Sequence, residues 1–321
     1  MAITLTGGIP TYFTDQFSST LYHLCQQKES KFKQAVRVEP VLGAEDKAFD
    51  SIGMLELEAK TSRNPATPTI DITTQRRWVS TSPFHQAVLF DKDDDLSMIV
   101  DPRSDVQMEL VRAINRKYDD IILAAIDGAV ASGRRSNTSS ITWASAGGTT
   151  KYTGKNTGRT IAWDTSSGNA SAVDTGMTIE KIQLVKEYFA YNDVDENSPI
   201  WCAISPRQAT NLFGQQEYTN NDYSNGKVLT TGRIIPNWNG INWIVSTKIV
   251  AGTSNDVDAD TNVIRCPVWV QDGIILGVQD MLSTEMSIRD DLSYSQQIYV
   301  HMNMGAMRMD EDKVCYVECV A

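Results

Sequence analysis

One long apolar periodicity, between residues 101 and 133, constrains this chain more than any other feature. Val106, Leu110, Ile114, Tyr118, Ile121, Ala125 and Ala129 recur at intervals of three and four, the spacing that lines one face of an α-helix. Ser104 and Gln107 form a capping-box pattern at its start, and Ser132-Gly133 close it. A helix over residues 105–132 would extend roughly 42 Å at about 1.5 Å per residue, a structural spine on which other elements must pack.

Upstream, residues 18–36 read as a short amphipathic helix, with Leu21, Leu24, Cys25, Phe32 and Val36 near one face. Gly7, Gly8 and Pro10 before it mark an irregular arm that cannot build its own core and is expected on a neighbouring surface. Residues 54–60 alternate Leu55, Leu57 and Ala59 against Glu56, Glu58 and Lys60, and Ile70 and Ile72 resume a period of two before Gln75 to Trp78. Arg63-Asn64-Pro65 and Pro68 supply the turn between them. The reading is a long two-stranded excursion, which in isolation is marginally stable and therefore calls for a neighbouring subunit.

Downstream, residues 134–177 change character: rich in Ser, Thr, Gly and Asn with isolated Trp143, Tyr152 and Trp163, they read as an insertion or connecting loop. A compact mixed unit follows. Ile179, Ile182, Val185, Tyr188 and Phe189 mark a helix, residues 199–204 a buried strand, and Ser205-Pro206 the cap and first position of another helix. Residues 241–245 and 268–278 read as strands, and 286–320 as antiparallel strands with Asp310-Glu311-Asp312-Lys313 at a hairpin turn.

Composition serves mainly to exclude. A length of 321 residues fits about two domains. No stretch approaches the roughly 18 apolar residues of a membrane span, and residues 1–10 show no secretory pattern, so no membrane partner is expected. A net charge of −11 argues against general nucleic-acid binding, which relies on cations neutralising phosphates. Cys25, Cys202, Cys266, Cys315 and Cys319 are odd in number and scattered, unlike a disulfide framework. His23, His85 and His301 lack a partner at metal-ligand spacing, and Cys315 and Cys319 lie about 13 Å apart along a strand, so no metal or other cofactor is expected. The acidic run at residues 91–95 lacks EF-hand spacing and reads as a solvated turn.

These pieces, in this order, resemble the Hong Kong 97-type (HK97-like) major capsid proteins of tailed bacteriophages, over nearly the whole chain. The likeness rests on Val100-Asp101-Pro102 leading into the helix with Arg116 and Asp119 inside it, and on Ile204-Ser205-Pro206 followed by residues 208–213. It rests also on Gly232-Arg233-Ile234, Gly240 and residues 243–246, and on Gly305-Ala306 and Arg308 before the strand at 314–319.

The resemblance implies an α+β HK97-like capsid fold. Its parts are an N-terminal arm with a short helix (1–44), an extended β-ribbon or E-loop (45–90), and a peripheral domain with the spine helix (91–133). The insertion (134–177), a mixed α/β axial domain (178–284) and C-terminal strands returning to the peripheral domain (285–321) complete it. It implies a structural, non-enzymatic virion protein that self-assembles into pentamers and hexamers of an icosahedral shell around double-stranded DNA, built in the bacterial host cytoplasm. Implied partners are further copies of itself, a separate scaffolding protein and a portal; residues 134–176 could be an outward-facing insertion that binds a cement protein, though a plain loop is the simpler reading. Leu21, Leu24, Phe32, Leu57, Lys60, Ile70 and Trp78 are the expected intersubunit contacts. Lys60 also sits where some relatives form a covalent cross-link, though a solvated strand lysine is the plainer reading. Two alternatives stand beside this: an encapsulin-like nanocompartment shell, and a metal-dependent enzyme using the acidic run with His85.

Overall fold

The computed structural model describes residues 25–53, 55–64, 66–91, 103–128, 130–131, 140–141, 160–161, 165–166, 169–170, 175–215, 218, 234–249 and 263–320. Three helices stand among them: α1 (Arg103–Asp127), α2 (Ile179–Tyr191) and α3 (Pro206–Phe213). The strands before α1 are β1 (Arg37–Pro40), β2 (Asp46–Ile52), β3 (Thr74–Ser80) and β4 (Ser82–Phe90). Five short ones follow it: β5 (Val130–Ala131), β6 (Ser140–Ile141), β7 (Thr160–Ile161), β8 (Thr165–Ser166) and β9 (Asn169–Ala170). Next come β10 (Ile200–Ile204), β11 (Asn237–Trp238) and β12 (Ile241–Val245). The chain closes with β13 (Val263–Val270), β14 (Ile274–Arg289), β15 (Ser295–Arg308) and β16 (Val314–Val320).

Two larger sheets carry the fold. The first, ordered β1-β14-β15-β4, lies against α1; the second, ordered β11-β12-β10-β13-β16-β7, is flanked by α2. β13 and β16 are buried almost throughout, as strands covered on both faces must be, and both read as near-continuous apolar runs. One core joins the layers: Tyr118, Ile122 and Ile126 of α1 belong to the same cluster as Val185 and Phe189 of α2 and Trp269 of β13. A third small sheet, β2-β3-β5-β6, forms the root of the ribbon.

The sequence signals for α2, β10, α3 and β12 match the elements observed. Ser205 Oγ accepts from the Gln208 backbone N–H at 3.4 Å with Pro206 at the first helical position, satisfying an otherwise orphan donor.

Several expectations are corrected. The expected arm helix is reduced, in its described part, to a 3-10 turn at Lys33–Ala35 running into β1. A carboxylate, Asp119, takes the backbone N–H groups of Lys31 and Phe32 that would otherwise bond within such a helix. The ribbon ladder runs from Asp46↔Ser80 to Ile52↔Thr74 and closes with the Gly53 N–H on the Thr73 carbonyl at 2.8 Å. The described residues of 55–73 form no strand, because among the described residues no third strand or apolar face pairs with the alternating segment.

The spine helix spans residues 103–127, about 37 Å at 1.5 Å per residue, and stops short of Ser132. Ser104 lies within its first turn instead of capping it, and the chain leaves as β5, whose Ala131 pairs with Trp78 of β3. Its buried stripe is Leu110, Tyr118, Ile122 and Ile126, with Ile114 and Ile121 beside it. The turn at residues 310–313 is no hairpin: β15 and β16 belong to different sheets, and β15 instead makes its hairpin with β14. The C-terminal stretch therefore divides, β15 entering the first sheet and β16 the second. Between β13 and β14 the chain crosses from the second sheet to the first through a 3-10 turn, Gln271–Gly273.

Candidate intersubunit contact site

Two attachments hold the extended parts of the chain to the body. The first seats the arm. Asp119, fully buried on α1, accepts from Ser30 Oγ at 2.6 Å, from the backbone N–H groups of Lys31 and Phe32, and from the Gln27 side-chain amide. A buried carboxylate is tolerated only when its lone pairs are used in this way. One turn earlier, Arg116 donates to Gln26 Oε1 at 2.6 Å, and Asn115 to the Lys28 carbonyl at 3.0 Å. Burial alone would raise the Glu109 carboxyl, but the Gln26 amide and the Arg116 and Arg112 guanidiniums outweigh it and hold it below its ordinary range. Phe32 then inserts against Trp269, whose indole N–H donates to the Ala35 carbonyl at 2.8 Å.

The second attachment locks the ribbon root. Arg77 of β3, 4% exposed, donates from Nη1 to Glu311 Oε1 at 2.7 Å and to the Arg308 carbonyl at 3.0 Å, with Nη2 on Glu311 Oε2. Arg308, fully buried, donates to the carbonyls of Ile126 and Gly128 at the end of α1 and reaches Glu311 at 3.3 Å. A cation at a helix C-terminus completes the carbonyls that the helix itself leaves open. Glu311 thus joins the ribbon, the spine helix and the β15–β16 connection.

Beyond that root the ribbon is solvated. Arg76 and Asp50 pair across it at 2.5 Å, both exposed, and the Arg76 guanidinium holds the Asp50 carboxyl below its usual range. Leu57 is 101% exposed, and Ile52, Leu55, Ile70 and Ile72 are each at least half exposed.

Of the expected contacts, Leu57, Lys60 and Ile70 lie on this exposed ribbon, and Trp78 sits half-buried at its root opposite Ala48. Leu21 and Leu24 lie outside the described residues. Phe32 is withdrawn from the set, because its ring is 0% exposed inside its own subunit. Two shallow clefts of about 130 and 270 Å³ between α1 and the first sheet are lined mainly by apolar side chains, Leu110, Ile114 and Met302 among them. Among the described residues no group of His, Cys, Asp and Glu is arranged to hold a metal. His85 is exposed on β4 opposite His301, while of the acidic run only Asp91 is described. Burial pushes the thiols of Cys202 and Cys315 up, as for small core side chains.

A family described as "Phage capsid protein" matches residues 9–321. The chain belongs to that family. It is a major capsid protein of a phage, and the findings favour neither the nanocompartment nor the metal enzyme. No curated protein matches it. Solved capsids share the HK97-like fold at low identity. The capsid of cyanophage P-SCSP1u is similar with a TM-score of 0.72 at 16% identity, covering 99% of this chain and 96% of that one. The cyanophage Pam1 capsid has a TM-score of 0.70 at 13% identity, with 99% of each chain covered. The capsid of the Helicobacter pylori bacteriophage KHP30 has a TM-score of 0.69 at 8% identity, with 98% of each covered.

The capsid subunit's two attachments were only partly legible beforehand. Arg77 occupies the apolar phase of the alternation Arg77, Val79 in β3, a sequence signal for a buried, paired arginine. Glu311 carries no such signal, since an acidic turn residue is normally solvated.

Proposed function

We propose that this capsid subunit assembles through its arm and ribbon into pentamers and hexamers of a closed icosahedral shell around double-stranded DNA. The observation that carries the reading is the contrast along the ribbon: a root held by a buried ion cluster, and an outer part whose alternating apolar side chains are exposed, Leu57 entirely in solvent. Free-standing exposed apolar patches of this kind mark interaction surfaces. Leu57, Lys60 and Ile70 are assigned to contacts with a neighbour, with Trp78 at the base of the same surface and Leu21 and Leu24 on the arm. Each contact can be modest, because many act together in a shell.

The net charge of −11 suits a wall that encloses DNA without gripping it. Function on this reading lies in surfaces and needs no catalytic step. Assembly takes place in the host cytoplasm with a separate scaffolding protein and a portal, and residues 134–176 offer a place for a cement protein. The test is negative-stain electron microscopy of the purified chain, alone and co-expressed with a candidate scaffold. Closed shells or rings of five and six are expected. Deleting residues 63–68 should abolish them while the free subunit stays folded; unchanged assembly removes the ribbon from this role.

A further inference from the structure

Strand β14 is covered unevenly. On its outer side β1 pairs only with Ile275 to Val278, through Arg37 to Pro40. Beyond the register shifts that end at Ser283, residues 283–289 pair with β15 alone. Among the described residues, the other edge of that stretch presents unpaired backbone donors and acceptors. Proteins usually blunt such an edge with proline, with charged side chains, lysine above all, or with a bulge. Residues 283–289 contain no proline or lysine, their charges are one of each sign, Glu285 and Arg289, and their register with β15 is continuous. Glu285, Met286, Ser287 and Ile288 are all exposed or half-exposed, Met286 at 59% and Ile288 at 64%.

The sequence along this edge is complementary to itself. About Ser287 it reads acidic, apolar, serine, apolar, basic: Glu285, Met286, Ser287, Ile288, Arg289. Antiparallel pairing of two copies about a twofold axis at Ser287 sets Glu285 of one copy opposite Arg289 of the other, and Met286 opposite Ile288. Both pairs occur twice. Directly opposite residues share a face, so the apolar pairs and the ion pairs fall on opposite sides of the joined sheet. Beyond Arg289 the chain turns back toward β15, so the shared ladder ends with these pairs and no like charges stand directly opposite. Arg289 at present holds Asp291 at 2.6 and 2.7 Å and donates to Gln297 at 3.1 Å; the ion pair with Asp291 is exposed and of the kind that contributes little.

We infer that residues 283–289 form a homotypic contact in which two subunits join β14 to β14 about a twofold axis, making their first sheets continuous. The contact is isologous, as a twofold between subunits of a closed shell requires, and in that respect it rests on the proposed shell assembly.

The test places a thiol at the axis. In a Cys25→Ser background, which removes the exposed native thiol, Ser287→Cys brings two thiols opposite each other. Opposed Cα atoms in an antiparallel pair stand about 4.5–5.5 Å apart, within disulfide reach. Oxidised glutathione takes up the two electrons and two protons that the introduced thiols release. It becomes two glutathione thiols as the sulfur–sulfur bond between the two copies forms. A reducible dimer is expected on a non-reducing gel. Glu285→Arg sets arginine against arginine and should slow cross-linking about tenfold, equivalent to about 1.4 kcal/mol. The double variant Glu285→Arg/Arg289→Glu restores both pairs in the reversed sense and should recover the yield. A ribbon strand from another subunit on this edge would gain nothing from that reversal.

No dimer in either assembled shells or the concentrated free chain overturns the inference, as does a double variant no better than the single one. Electron microscopy of the same preparations separates the two readings. Shells without dimer overturn this contact alone, whereas dimer without shells upholds the contact and counts against the shell.

Discussion

At the root of the ribbon, Arg77 is buried and shares Glu311 with Arg308; at its tip, the Leu57 side chain lies wholly in solvent. Both belong to one excursion read from one run of alternating sequence. What separates them is where the partner comes from. The root finds its third element, β5, and its carboxylate within the subunit, so it folds with the body. Among the described residues the tip finds neither, and its backbone and apolar side chains remain available to another molecule. Changes at the root should therefore be felt in the stability of the free subunit, and changes at the tip only in association.

The sharpest way to break this comparison is Glu311→Ala. It leaves Arg77 and Arg308 buried without their shared carboxylate, the situation in which breaking a buried ion pair costs about 3–5 kcal/mol. Urea denaturation of the free subunit should show that loss. A loss below about 1 kcal/mol would mean that the root is held by its strands alone.

Next comes Gly305→Ala. A methyl group there would stand 2.0 Å from the Ser80 carbonyl oxygen, where the chain turns from β3 into β4 across the β14–β15 pair. The atom met is backbone and cannot swing aside, so overpacking of about 1–3 kcal/mol is expected from the same denaturation experiment. An unchanged midpoint would show that the β3–β4 corner yields easily, which would weaken the picture of a rigid root.

How far this was legible in the sequence follows the same division. α2, β10, α3 and β12 were readable because each carries its own signal, such as the Ser205-Pro206 cap. The end of α1 was not, because Arg308, distant in sequence, supplies the partner for its last carbonyls. The arm helix failed for the same reason, Asp119 competing for the backbone donors of residues 31 and 32. Of the contact residues, Leu57 and Ile70 could be proposed because an alternating run with too little core advertises a missing partner. Phe32 was misassigned because periodicity cannot say whether an apolar side chain is covered by its own subunit or by a neighbour.

A smaller effect is expected where the arm meets α1. The Glu109 carboxyl is held below its ordinary value of 4.5 by Gln26, Arg116 and Arg112 against its burial. A group whose folded pKa is depressed stabilises fully above its unfolded value and loses that contribution as pH falls through the folded one. The arm's hold should thus weaken below pH 4.5, by less than about 1 kcal/mol because the group is partly exposed. Glu109→Gln should remove that acid-dependent step, read as hydrogen exchange of residues 26–32 against pH. Identical profiles in both proteins would assign the acid response to other carboxylates.

The smallest effect on the free subunit, and the one that sharpens the comparison most, is expected from Leu57→Ser. The side chain is 101% exposed and buries nothing, so stability should stay within about 0.5 kcal/mol, as at surface positions without special contacts. Assembly should nonetheless fall, because in a neighbour's surface the same side chain would contribute up to about 1.5–3 kcal/mol by burial, repeated in every copy. The measurement is shell yield by sedimentation beside the denaturation midpoint. A normal midpoint with reduced yield separates root from tip. A lowered midpoint would place Leu57 in a contact within its own subunit, and a normal yield would move the ribbon's contact to Ile70 and Ile72 on the returning segment.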